Sequence, residues 1–392
     1  MKIGVTVALL LATLSALAQK KELKEAEKLV NTSQFEAAKP LLTIAESKLE
    51  ALKPVDKSKL YRLKALAFSG NAKKASLDDF KTAIAAYNKI LSIEKASKSI
   101  KYTGEALDGL NKINYDIETK AQNSISNGAF IDAARTYEYL YAKDSKDTIY
   151  LYNTAISYVK AKEYDKSLEA YQKLLNLGYT GKGTSYVATH VASGQDHEIQ
   201  SKADMDALVA KGEYTDPREV KLESKRGIIA KDIALIHIAK GDEAKAVEAF
   251  KVAKQENPDD KSVLDAEVNM YLVKAVEYSK TKDIENALKY YKKVLSINPS
   301  HSDANYNISA ILLQKDGPIV DKINALAKTK AADNEYKTLR KARENNFNEA
   351  IPFMEKYLEK NPDDKAFAGN LLSIYKAVKS PKTESFKTKH GL

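Results

Sequence analysis

Val268–His301 reads VNMYLVKAVEYSKTKDIENALKYYKKVLSINPSH, and this stretch decides the architecture. In its second half apolar side chains fall at Ile284, Ala287, Leu288, Tyr291, Val294 and Leu295. Those spacings trace one stripe of a 3.6-residue helix. The first half repeats the idea with Tyr271, Ala275 and Tyr278. Pro299 ends the second helix, because proline has no N–H and disfavours helical geometry in the residue before it. The stretch therefore predicts two short helices joined by a tight turn.

The pattern recurs. SDANYNISAILL starts at Ser302, 34 residues after Val268. Period and pattern resemble the tetratricopeptide repeat (TPR) family. The family places a large residue at position 4 and a small one at 8. An aromatic follows at 11, Ala at 20, an aromatic at 24 and Pro at 32; here these are Tyr271, Ala275, Tyr278, Ala287, Tyr291 and Pro299. Ala287 has a physical reason: a larger side chain would push the two helices apart. The resemblance implies an all-α, right-handed helical solenoid of about seven helix pairs.

Outward from this repeat, Gly227–Asp260 carries Ala234, Ala246, Phe250, Ala253 and Pro258, with His237 in the position-11 slot. Asn114–Asp147 and Thr148–Gly181 form a contiguous pair of units, with Ser167 standing in the Ala position of the second. Before them, Lys20–Leu52 and the pairing of Lys57–Ser69 with Phe80–Ile93 are degenerate versions. After Ser302 the second-helix signature, Phe347-Asn-Glu-Ala350 to Pro362, arrives late. The intervening Gly317–Asn346 is expected to lengthen both helices. Ala366–Lys379 is expected to close the stack, with a polar tail behind it.

One segment breaks the period. In Tyr179–Glu223, β-branched and aromatic residues flank Ala192-Ser-Gly-Gln195, which predicts a small β-hairpin. A helix over Ala203–Lys211 and a turn at Pro217 are expected to lead back. The expected organisation is thus a leader over 1–18, degenerate repeats over 19–113 and two repeats over 114–181. The hairpin insertion takes 182–226, three repeats 227–365, and a capping helix with its tail 366–392.

Composition narrows the function classes. The chain has 392 residues and a net charge of +10. Only 6 of its 63 basic residues are Arg. Lysines scattered among 53 acids describe solvated helix faces rather than a nucleic-acid reader, so no nucleic-acid partner is expected. MKIGVTVALLLATLSALA reads as a secretory leader, with a basic start, a short apolar core and an A-x-A end before Gln19. The apolar run is too short to span a bilayer. No other stretch is long enough, so the mature chain is expected to lack a transmembrane segment. With no cysteine, disulfides, thiolate chemistry and a lipid-anchor cysteine are excluded. A periplasmic or secreted location follows as the expectation.

Chemistry is sparse. Gly178-x-x-Gly181-Lys182-Gly183-Thr184 falls short of a phosphate loop, since Thr does not follow the Lys and the next stretch is strand-like. His190, Asp196, His197 and Glu198 could offer metal ligands, but adjacent Asp-His residues point to opposite faces of a strand. No cofactor and no catalytic residue is assigned. The resemblance instead implies partner contacts on the inner helices at positions 2, 5, 6, 9, 12 and 13. These give Tyr152, Asn153, Lys231, Tyr306 and Asn307 as partner-binding candidates. Lys231 matches the lysine of the family's carboxylate clamp, but Leu235 stands where its asparagine should follow. The expected function is a non-enzymatic protein–protein interaction scaffold of the bacterial envelope, gripping a partner segment in the groove. A glycan or cell-wall binder, or an enzyme with its site in 179–223, is the alternative.

Overall fold

A computed structural model describes residues 21–47, 49–98, 100–199, 201–326 and 330–392. The expected leader and its cleavage point before Gln19 lie outside them. The chain divides into two compact units, Met1–Gly181 and Lys182–Leu392.

Among its described residues the first unit is built of helices. Residues 21–31 form α1, followed by α2 (Phe35–Glu46), α3 (Pro54–Ser69), α4 (Leu77–Ser97) and α5 (Thr103–Ser126). Then come α6 (Phe130–Lys143), α7 (Thr148–Lys160) and α8 (Tyr164–Asn176). Successive helices pack on one another from α2 to α8. The small residues of the repeat lie at the crossings: Ala83, Ala121, Ala133 and Ala155 are wholly buried. Ser167, in the Ala position of α8, is equally buried, and its hydroxyl donates to the Ala155 carbonyl at 3.0 Å. Positions 8 and 20 of one repeat therefore touch, and the hydroxyl is satisfied where it is buried.

The second unit opens with the insertion. Strand β1 (Gly183–His190) pairs antiparallel with β2 (Asp196–Ile199), as the hairpin reading expects. A third strand was not expected. After α9 (Lys202–Ala210), β3 (Tyr214–Leu222) pairs with the other side of β1, giving the order β2-β1-β3. Pro217 thus sits within a strand rather than in a turn. The reason is a bulge: Val187 faces Arg218 and Thr189 faces Thr215, so Asp216 and Pro217 together stand against Ala188. Asp216 takes a left-handed φ of 48° there. A proline is tolerated at a bulge on an edge strand because no ladder N–H is demanded of it.

Helix pairs resume with α10 (Arg226–Ala239) and α11 (Glu243–Glu256), then α12 (Lys261–Lys280) and α13 (Ile284–Ile297). Both α11 and α13 stop just before their Asn-Pro, as the sequence pattern requires. Ala246 and Ala287, the small residues of the two crossings, are wholly buried. Five of the turns between paired helices share one feature. Ser33, Gly128, Lys162, Gly241 and Lys282, each two residues before the second helix, all have positive φ. Asp242 and Asp283 then cap α11 and α13 by accepting from Lys245 N and Asn286 N.

The last repeat differs from expectation. α14 (Ser302–Gln314) keeps ordinary length, and a separate α15 (Asp316–Ala325) follows it. Pro318 explains the break: continuing α14 would require the N–H that proline lacks. Only the second helix is lengthened. α16 (Lys330–Lys360) runs 31 residues and packs on α14 through its C-terminal half, where Ala350 and Met354 are wholly buried. α17 (Lys365–Ala377) covers the end. The expected polar tail is partly helical as α18 (Thr383–His390), with Phe386 set edge-on against Tyr375 at 5.2 Å.

Candidate interaction surface

The repeat places an open apolar cleft between the first helices of two successive pairs. Leu235 and Ile238 lie one turn apart on α10, and Asn269, Met270 and Val273 share one face of α12. Together they line a cavity of about 430 Å³. Leu235 is 41% exposed and Val273 67% exposed, far more than a helix packed on both sides would allow its aliphatic residues. Three charged side chains, Glu243, Lys274 and Glu277, join the lining.

Glu243 is fixed in place. It accepts from the Tyr290 hydroxyl at 2.7 Å and from Lys293 Nζ at 2.9 Å, with Lys274 Nζ at 3.7 Å. Burial alone would raise its carboxyl pKa, but these hydrogen bonds and the two lysine charges outweigh it and hold the pKa below the ordinary value. The Tyr290 hydroxyl is pushed up, by burial first and then by donating to Glu243. Behind it, Lys293 Nζ lies 4.6 Å from the Tyr271 ring centroid and 4.5 Å from that of Tyr290. Burial together with Glu267 and Glu243 pushes the Tyr271 hydroxyl up to about 12. One wall of the cleft is therefore a rigid network of charge-assisted hydrogen bonds, and the other is aliphatic.

The sequence candidates fall in different surroundings. Tyr152 and Asn153 are neighbours on α7, but Tyr152 is buried, its ring 5.8 Å from that of Tyr179. Asn153 is half-buried. Lys231, on α10, donates to Ser262 Oγ at the start of α12 at 2.9 Å. Tyr306 on α14 is 43% exposed, its ring 5.3 Å from Tyr357 and 5.4 Å from Phe367. Asn307 donates its amide to the Asp303 carbonyl within the same helix at 2.7 Å. Lys231 and Tyr306 thus meet different elements. Leu235 and Val273 were missed as contacts, although their inner-face positions and aliphatic character were both readable.

Other candidate chemistry resolves into local structure. Gly178 and Gly181 end α8 with positive φ and lead into β1, so no helix N-terminus follows Lys182. In the insertion the rings of His190 and His197 stack at 5.3 Å. The His190 Nδ1 meets Ser193 Oγ at 3.0 Å and the His197 Nδ1 meets Tyr214 Oη at 2.9 Å. Asp196 lies on the opposite face with Arg218 and Thr189, and Glu198 accepts from Ser185. Among the described residues no three His, Cys, Asp or Glu side chains are grouped to hold a metal ion. His237 is half-buried, and desolvation lowers its pKa.

Comparison with known proteins agrees with the repeat register. Residues 120–179 and 268–301 each match a family model described as tetratricopeptide repeat. A TPR repeats protein of Bacteroides fragilis is 11% identical, over 67% of this chain and 97% of its own, with a TM-score of 0.45. A tetratricopeptide repeat protein from Parabacteroides merdae is 12% identical, over 91% and 98% of the two chains, at a TM-score of 0.26. YrrB, described as a TPR protein with an unusual peptide-binding site, is 14% identical over 69% and 97%, at 0.31. No curated protein matches the sequence. The fold and the repeat define a helical-repeat interaction protein. Residues 120–179 and 268–301 are tetratricopeptide repeats, which support a protein–protein interaction scaffold.

Proposed function

We propose that this scaffold is exported to the bacterial envelope and grips an extended segment of a protein partner on its first-helix face. The cleft between α10 and α12 carries the reading. Counting from Gly227 and Val268, its residues Leu235 and Ile238 hold positions 9 and 12, and Asn269 and Val273 hold positions 2 and 6 of the next repeat. These are the inner-face positions that the resemblance assigns to partner contacts. An aliphatic pocket beside a fixed carboxylate suits an apolar anchor residue with a basic or amide neighbour. Tyr306, Asn307 and Lys231 extend the same face, and Asn amides there can hydrogen-bond an extended backbone. Tyr152, being buried, supports the face by packing more than by contact.

A photo-crosslinking residue at Val273, introduced in the native envelope, tests the proposal. It should trap a protein, and Leu235→Glu should abolish trapping while helix content stays unchanged. Trapping that survives Leu235→Glu would remove the cleft from consideration. Mass spectrometry of exported protein should show a chain starting at Gln19. A membrane-bound form still carrying Met1 would overturn the export reading.

A further inference from the structure

The lengthened α16 supplies a second surface. Its first half presents Tyr336, Arg340, Arg343 and Phe347 at helical spacing along one side of a cleft of about 580 Å³, closed by the end of α17 at Ala377, Val378 and Lys379. Charge is lopsided there: five cationic side chains line the cleft against two carboxylates, Asp333 and Glu344. Arg343 is committed, forming a two-pronged pair with Asp316 of α15 at 2.7 and 2.8 Å. That pair ties the extension to α15. Among the described residues no ion pair engages Lys337, Arg340, Lys341 or Lys379, and all four are exposed. Tyr336 is 41% exposed, with the Arg340 guanidinium 5.9 Å from its ring centroid.

Residues 332–345 of this helix include none that is buried. We propose that this cleft is a docking site for an acidic protein segment carrying an occasional apolar residue. Unengaged cations supply charge complementarity, and Phe347, Ala377 and Val378 offer an apolar floor between them. Asp333 and Glu344 argue for a peptide over a nucleic acid. A continuous phosphodiester would be repelled at both carboxylates, whereas a peptide can set neutral or basic residues opposite them. The site shares no residue with the cleft between α10 and α12, so it stands whether or not that reading holds.

The test is fluorescence anisotropy of the full chain with a short fluorescein-labelled Glu/Asp/Leu peptide, and with single-stranded oligo-dT of equal length. The peptide should bind, less tightly as salt rises. Arg340→Glu with Lys341→Glu should weaken binding about tenfold or more, whereas the same charge reversal at Lys289 and Lys292, exposed on α13, should change it about twofold or less. Tyr336→Ala should also weaken it. All these side chains are exposed, so melting curves should stay unchanged. Equal losses from the two reversals would mean general attraction to a basic chain and overturn the proposal. Tighter binding of oligo-dT, or no binding of the peptide, would overturn it as well.

Discussion

Glu94 is 2% exposed and carries the junction between α4 and α5. Its Oε2 accepts from Tyr102 N at 2.9 Å, from Thr103 N at 2.9 Å and from the Thr103 hydroxyl at 2.8 Å. The two amides are the first donors of α5, which have no partner within their own helix. A buried carboxylate in the last turn of α4 thus does what an N-cap side chain does locally, and it also faces the positive end of the helix dipole. Glu94→Ala strips two part-buried amides of their acceptor, at about 1–3 kcal/mol each before water re-solvates them, so a loss of about 2–4 kcal/mol is expected. Glu94→Gln keeps one carbonyl acceptor but loses the charge, and should cost about 1–2 kcal/mol. Urea denaturation followed by circular dichroism gives both values. Hydrogen exchange should show the Tyr102 and Thr103 amides losing protection before the centre of α5 does. An alanine variant that costs under about 0.5 kcal/mol, or equals the glutamine variant, would refute the reasoning.

Ala287→Leu should overpack the α12–α13 crossing against Ala275 and cost about 1–3 kcal/mol, with thermal unfolding that broadens or splits; an unchanged melt would remove the assigned register. Lys282→Gly relieves a left-handed residue at φ 63° and should leave stability unchanged or raise it by up to about 1 kcal/mol, measured by chemical denaturation. Glu243 has a folded pKa below its unfolded value. Its contribution is therefore fully present above an ordinary carboxylate pKa of 4.5 and is lost as the pH falls through the lower folded value. Stability measured down through that window should fall more steeply in the native chain than in Glu243→Gln, and parallel curves would contradict the assignment.

Where the 34-residue pattern is complete, the second helices fall where the sequence places them, but the first helices α5 and α12 start well before their repeats, at Thr103 and Lys261. Ala246 and Phe250 on α11 and Tyr291 on α13 mark the helix crossings, each small or large where its buried surroundings demand it. Legibility fails where local rules have two solutions. Pro217 could end a segment or sit in an edge bulge, and only the pairing of Gly183–Val187 with Arg218–Leu222 decides between them. Pro318 breaks α14 through a hydrogen bond it cannot make, yet nothing local says whether the residues beyond it join the first helix or the second.

The candidate surfaces divide along the same line. Tyr152 and Leu235 occupy inner-face positions 5 and 9 of their repeats, and sequence reasoning favoured the tyrosine for its amphipathic contact area. The structure reverses their exposure. Tyr179, from the segment that ends the first unit, covers Tyr152, whereas nothing in the described chain covers Leu235 to the same degree. Repeat position determines which way a side chain points, and whether it meets solvent depends on what the chain does after the repeat ends. The Lys- and Arg-rich first half of α16 illustrates the converse. Its composition reads as an ordinary solvated helix, and only the approach of α17 turns four of its cations, together with Lys379, into the wall of a cleft.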